Sequence, residues 1–296
     1  MRKSLLIVLG IIYAGALGTL THAAPVPDAI NTIFGKKAQE LPASVYKYSW
    51  PRTDLSVTVG GKPIAPGLAL GSWAAFAPYK QEGWVMGDLV LLQSEVGPVV
   101  EQLQAGGFEI MAIHNHLLDE NPRVMYVHYM GEGDPTQLAK GLLAVLERTK
   151  TPLKAATRPV QTAQQSPPEW TSKVESALGR KGKLNGVVYA VSVPRADTDK
   201  VGDQVIPSAM GLETALNFQQ IGDKVASTGD FVLIGSEVNP VVKTLQHEGI
   251  VVTAIHSHML DDDPRLFFLH YWALGDPSEV GSGLKDALGH VNVKQQ

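Results

Sequence analysis

The stretch 87–135, GDLVLLQSEVGPVVEQLQAGGFEIMAIHNHLLDENPRVMYVHYMGEGDP, returns at 229–277 as GDFVLIGSEVNPVVKTLQHEGIVVTAIHSHMLDDDPRLFFLHYWALGDP. The two align without a gap, and 26 of 49 positions are identical, so one structural unit is encoded twice. Residues 85–92 form a run of β-favouring side chains. Gly97-Pro98, and more clearly Asn239-Pro240, then offer an N-cap followed by proline at the first helical position. The segments that follow, PVVEQLQAGG and PVVKTLQHEG, end at glycine as helices commonly do. Next come two expected strands, 108–117 and 123–130, joined by the polar turn Asp119-Glu120-Asn121-Pro122. Asp134-Pro135 and Asp276-Pro277 repeat the cap-then-proline signal and open a last helix. Each unit is therefore β-rich and ends β-α-β-β-α. The expected fold class is α+β, with mainly antiparallel sheets covered by helices.

The duplication reaches further upstream. Val45-Tyr46 matches Val188-Tyr189, Pro51-Arg52 matches Pro194-Arg195, and Asp54 matches Asp197. The first repeat is expected at 24–150, the second at 167–290 and a short tail at 291–296. Between the repeats, 151–166 (TPLKAATRPVQTAQQS) lacks periodicity and reads as a linker. The two copies form either two domains or one pseudo-twofold unit.

Six of the nine histidines lie at matched places in the two copies: His114, His116 and His128, then His256, His258 and His270. On a strand, residues i and i+2 share a face, so each His-x-His pair projects one way. A hairpin centred near Asn121 sets His128 opposite His114, and one centred near Asp263 sets His270 opposite His256. Three imidazoles on one sheet face are the ligand set of a three-His zinc site with an open fourth position. Imidazole also suits copper, iron and nickel, so the expected cofactor is a divalent transition metal, zinc first. Packed core histidines are the competing reading.

Glu95 and Glu237, each in Ser-Glu-Val before a helix, are candidate catalytic residues: a fourth ligand or a general base. An acidic residue favoured by the helix dipole is the alternative. Arg52-x-Asp54 and Arg195-x-Asp197 read first as ion pairs at a strand end, and Tyr129 and Tyr271 as core. The copies differ upstream, where Gly71-Ser72-Trp73 stands against Glu213-Thr214-Ala215 and Ala75 against Asn217. If those segments line the sites, the two sites are not equivalent.

Residues 1–23 read as a secretory signal peptide: Arg2 and Lys3, a mostly apolar run 4–20, then Thr21-His22-Ala23, with an uncleaved membrane anchor as the competing reading. The expected location is periplasmic or extracellular, without stable membrane insertion after cleavage. Removing Arg2 and Lys3 changes 25 basic against 29 acidic residues to 23 against 29, a net charge of −6. No basic cluster stands out, so nucleic acid is not an expected partner. With no cysteine, disulfides, thiolate nucleophiles and Cys-held zinc or iron–sulfur centres are excluded. A metal site here rests on His, Asp or Glu.

The repeated GD-x-V-L…EV-x-P-V…A-I-H-x-H-x-L…P-R…H-Y…GDP pattern, with LALGSWAAF upstream, resembles the LppY/LpqO family of exported bacterial proteins. That resemblance covers nearly all of the chain after residue 23 and implies a domain of unknown function; this chain lacks the lipobox Cys of the mycobacterial lipoproteins that gave the family its name. A remoter likeness is to acetolactate decarboxylase, where a His-x-His and a third His about eleven residues on form a zinc or zinc-like site. This chain departs from it in having Tyr126-Val127 and Phe268-Leu269 before the third His, where small residues are looked for, so the reaction is not carried over. The expected function is an exported metalloprotein with a three-His site in each repeat, acting as a metal-dependent hydrolase or lyase on a small molecule that the sequence does not name. Two alternatives stand beside it: a non-catalytic envelope module that binds metal or ligand, and a metal-free protein whose repeats bury each other's sheets.

Overall fold

A computed structural model describes residues 27–80, 82–154 and 167–295. The expected signal peptide and most of the expected linker lie outside the described residues. Among the described residues, no helix is long and apolar enough to cross a membrane.

Each repeat forms one antiparallel six-stranded sheet. In the first, Gln39–Leu41, Val45–Pro51, Gly71–Tyr79, Glu82–Leu92, Val124–Gly133 and Glu109–His114 lie side by side in that order. In the second the matching order is Lys183–Asn185, Val188–Pro194, Glu213–Ile221, Lys224–Ile234, Leu266–Gly275 and Val251–His256. The α+β class, the duplication and the antiparallel, helix-covered sheets are as the sequence implies.

Alternation along the strands defines two faces. On Glu82–Leu92, Val85, Leu89 and Leu91 join a core with Ile30 and Phe34 of helix Pro27–Phe34, Val99 and Leu103 of helix Gln93–Ala105, and Leu138 and Leu142 of helix Pro135–Leu146. The other face of the same strand, Trp84 and Met86, packs against Ile206, Met210, Val232 and Phe268 of the second repeat. A further shared cluster joins Val90 and Leu117 to Val188 and Ala226. The sheets thus meet face to face with helices outside, and the two repeats make one pseudo-twofold unit. Burial on both faces explains why 82–92 reads as an almost continuous apolar run rather than an alternating one.

Helix starts differ from the sequence reading. The helices run Gln93–Ala105 and Gly235–His247, which places Pro98 and Pro240 inside rather than at the first turn. Glu95 and Glu237 begin them: their carboxylates accept the N–H of Leu92 at 2.8 Å and of Ile234 at 2.9 Å. That interaction satisfies a donor the helix leaves free and moves the start several residues upstream of the proline. The Asp-Pro starts hold: Asp134 accepts from the N–H of Gln137 and Asp276 from that of Ser278, with proline next in line. Gly229 is required by close approach, since a Cβ there would lie 1.7 Å from the carbonyl oxygen of Ala215.

Candidate metal centre between the repeats

The histidines come from matched hairpins on the inter-sheet face. His114 ends strand Glu109–His114, His128 lies within Val124–Gly133, and His116 sits in the loop beyond His114. The register differs from expectation by two residues: His114 faces Tyr126, and His128 faces Ala112. In the second repeat His256 faces Phe268 and His270 faces Ala254. A slip of two preserves the face, which is why the histidines still converge. The register at the histidines is set by the connections 115–123 and 257–265; the irregularities between Ile110 and Ala112 and between Val252 and Ala254 lie beyond them and shift the pairing by one further residue.

The larger difference is between repeats. Each histidine of one repeat lies against a histidine of the other: His114 on His256 with ring centroids 3.5 Å apart, His116 on His270 at 3.6 Å, His128 on His258 at 3.7 Å. Within a repeat the neighbours are wider, His114 being 4.9 Å from both His116 and His128. Tyr126 closes one end of the array on His116, and Phe268 the other on His258, each at 3.4 Å. Ligand atoms lying within 4.8 Å of one another fall into two four-His sets, His114/His128/His256/His258 and His114/His116/His256/His270, each drawn from both repeats. The structure does not gather the three histidines of one repeat into a set of their own.

Two aspartates join them. Asp88 pairs in register with His128, and Asp230 with His270. They complete the sets Asp88/His116/His128 and Asp230/His258/His270. Asp230 Oδ1 lies 3.0 Å from His270 Nδ1, which is also 3.0 Å from the carbonyl oxygen of Gly229. Sequence reading passed over both carboxylates, although Gly-Asp opens each copy of the repeat; a lone Asp on a buried strand carries no ligand spacing of its own.

Burial sets the electrostatics. It pushes His114 down to about 4, with the nearby His270 adding to the effect, and His256 down to about 2, again with His270 contributing. Burial first, then neighbouring histidines, holds His116, His128 and His258 well below the usual imidazole range. Burial raises Asp88 well above the carboxylate range, helped by Asp230 and opposed by Lys47. His114, His116, His128, His256 and His258 are thereby held toward the neutral form, the one that ligates metal. Five of their nitrogens are buried without a hydrogen-bond partner: both of His114, and Nε2 of His116, His128 and His258.

Glu95 and Glu237 lie elsewhere. Glu95 accepts from buried Arg52 (Nη1 at 2.7 Å, Nη2 at 3.3 Å), from the N–H of Leu92 and from that of Lys150 at 2.9 Å. Glu237 repeats this with Arg195, Ile234 and Asn292. Both carboxylates are fully engaged, and neither falls within the histidine sets. Arg52 also binds Asp54, and Arg195 binds Asp197, so the repeated Arg-x-Asp motif is an ion pair. Tyr129 and Tyr271 are buried in the core. The divergent segments do border the centre: Trp73 pairs with Asp88 where Ala215 pairs with Asp230. Lys47 lies over the Trp73 ring at 4.4 Å, and its counterpart in the second repeat is Ala190.

Fold and site together define a duplicated α+β protein with a histidine–aspartate cluster on the face its repeats share. The family model DUF1529, described as Domain of Unknown Function (DUF1259), matches residues 28–148 and again 172–290, and the chain belongs to that family with two copies of its domain. No curated protein matches the chain. Among solved structures, a trimeric bacterial microcompartment shell protein, PduB, aligns with 12% identity over 86% of this chain and 89% of that one, at a TM-score of 0.23. At that score the likeness bears on neither fold nor function.

Proposed function

We propose that this is an exported metal-binding protein whose metal, zinc foremost, is held by His114, His116, His128, His256, His258 and His270 with Asp88 and Asp230. The observation that carries the reading is the set of five buried, partnerless ring nitrogens. An unsatisfied buried polar group costs about 1–3 kcal/mol, so five amount to roughly 5–15 kcal/mol. That is comparable to the whole net stability of a folded protein, about 5–15 kcal/mol. A cation that takes the lone pairs among them removes much of that cost, and imidazoles flanked by aspartate side chains are donors a divalent transition metal accepts. Zinc is the first candidate because it imposes no geometric preference of its own.

Bound there, the ion supplies Lewis acidity for a hydrolase- or lyase-type reaction. The chain's own part is to orient His270 through Asp230 and the Gly229 carbonyl, to set Asp88 beside His128, and to keep water away with Tyr126 and Phe268. Glu95 and Glu237, fully engaged with arginine and backbone, have no proton-transfer role in this reading. A non-catalytic envelope module is the second reading, favoured by burial of the cluster, with His270 only 1% exposed. Export rests on the signal-like residues 1–23, and the likeness to LppY/LpqO proteins on the repeated motif pattern.

The test is metal content by mass spectrometry on untagged protein, beside the His114→Ala/His256→Ala double variant. Near-stoichiometric transition metal that is lost in the variant supports the reading. No metal after reconstitution with zinc, copper, iron and nickel in turn refutes it.

A further inference from the structure

We infer that the centre holds two metal ions at once, bridged by the imidazole ring of His114. The inference rests on the metal-binding reading above and adds its stoichiometry and its linking ligand.

The pseudo-twofold relation generates two equivalent four-His sets, and both contain His114 and His256. One ring nitrogen offers one lone pair, to one ion. Filling both sets therefore requires a shared ring to use Nδ1 for one ion and Nε2 for the other. The shared rings are not alike. His256 has its Nε2 2.7 Å from Nε2 of His270 and its Nδ1 3.4 Å from the Ser257 carbonyl oxygen. His114 has the Asn115 backbone beside it as His256 has Ser257, but both its nitrogens are buried with no partner at hydrogen-bonding geometry, and its Nε2 meets no histidine as that of His256 does. A neutral imidazole must carry one N–H, and a buried N–H without an acceptor is the costly case. Bridging removes it: the N–H proton leaves to solvent, and each nitrogen of the resulting anion binds one cation. The remaining histidines then divide, His116 and His270 on one side and His128 and His258 on the other, while His256, not bridging, serves only one of the two ions; Asp88 lies against His116 and His128, and Asp230 against His258 and His270. Neither ion belongs to one repeat.

Copper(II) is the probe, because two such ions on one imidazolate couple magnetically. The protein is loaded with copper(II), the metal is counted by mass spectrometry, and unpaired spins are counted by electron paramagnetic resonance. The expected result is two copper ions per chain with a spin count far below two, rising toward two as acid protonates the bridge. In His114→Ala the expected result is one ion, or two with a full spin count. Two ions with a full spin count in the unaltered protein overturn the bridge, and one ion per chain overturns the two-ion centre. No uptake of copper, zinc, iron or nickel overturns the metal reading itself. Should His114→Ala fail to fold, the spin count of the unaltered protein still decides.

Discussion

Replacing Glu95 by Gln separates a structural carboxylate from a catalytic one. Glu95 is 8% exposed and accepts four hydrogen bonds, two from Arg52 and one each from the backbone of Leu92 and Lys150. Glutamine keeps one acceptor oxygen and turns an NH2 toward donors. Arg52, fully buried, then loses a charged partner and keeps only Asp54 and the Val90 carbonyl. Removing one member of a buried ion pair costs about 3–5 kcal/mol. The retained Asp54 places this case near the lower end, at about 3 kcal/mol. For a chain of this size about 1 kcal/mol moves Tm by roughly 2–4 °C, so the expected drop is roughly 6–12 °C. Urea unfolding with a thermal scan measures it, and metal content is read on the same sample. Glu237→Gln, with the same bonds to Arg195, is expected to behave alike. Unchanged stability with lost metal or activity refutes the reasoning and returns Glu95 to the site.

Three further outcomes are expected. Burial pushes Glu120 up to about 7 from an ordinary 4.5, so the folded state favours its neutral form. Stability is then greatest below pH 4.5 and falls as pH rises through 7; after discounting for partial exposure, Glu120→Gln gains about 1 kcal/mol at pH 8 and nothing at pH 4, read by urea unfolding at both. Gly229→Ala sets a Cβ 1.7 Å from a backbone oxygen that no rotamer change can clear, so it costs about 3 kcal/mol or more, whereas Gly235→Ala, with nothing closer than 3.7 Å, costs little. Asp88→Asn and Asp230→Asn each weaken zinc binding about 10–100-fold in competition titrations, as loss of a carboxylate beside metal-bound histidines does.

What the sequence made legible was local or repeated. The Asp134-Pro135 and Asp276-Pro277 helix starts follow from backbone chemistry within four residues. The shared face of His114 and His128 follows from the two-residue period, and survives a register error of two because that period is even. Three features were hidden because each depends on distant parts of the chain. The helix at Gln93 begins early because Glu95 is anchored by Arg52, a partner 43 residues away. Asp88 meets His128 only through pairing of Glu82–Leu92 with Val124–Gly133. The stacking of His114 on His256 depends on how two sheets pack, and no local periodicity encodes that. The duplication itself was the one available signal: two copies that each keep three histidines are also two halves able to face each other.

Whether metal holds the repeats together or only finishes a joint already made is decided by the rest of the interface. Around the histidines the shared face is apolar. Trp84, Met86 and Met130 of the first repeat and Met210, Val232 and Phe268 of the second are each at most 6% exposed. Burying a side chain of that size contributes about 1.5–3 kcal/mol, so these six alone contribute on the order of 9–18 kcal/mol before ordering costs. Asn217 and Gln219 of the second repeat add hydrogen bonds to the backbone at Leu68 and Ala65 of the first. The cost of the unpartnered nitrogens is already carried by the metal-free fold, and each ion present at 100 times its Kd adds about 2.7 kcal/mol to net stability. The apolar joint therefore outweighs the metal. Chelation is expected to lower Tm by several degrees while the radius of gyration from solution X-ray scattering stays constant. An expansion on chelation at a temperature well below Tm would show instead that the metal is the principal bond between the two halves, and that the apolar contacts follow from it.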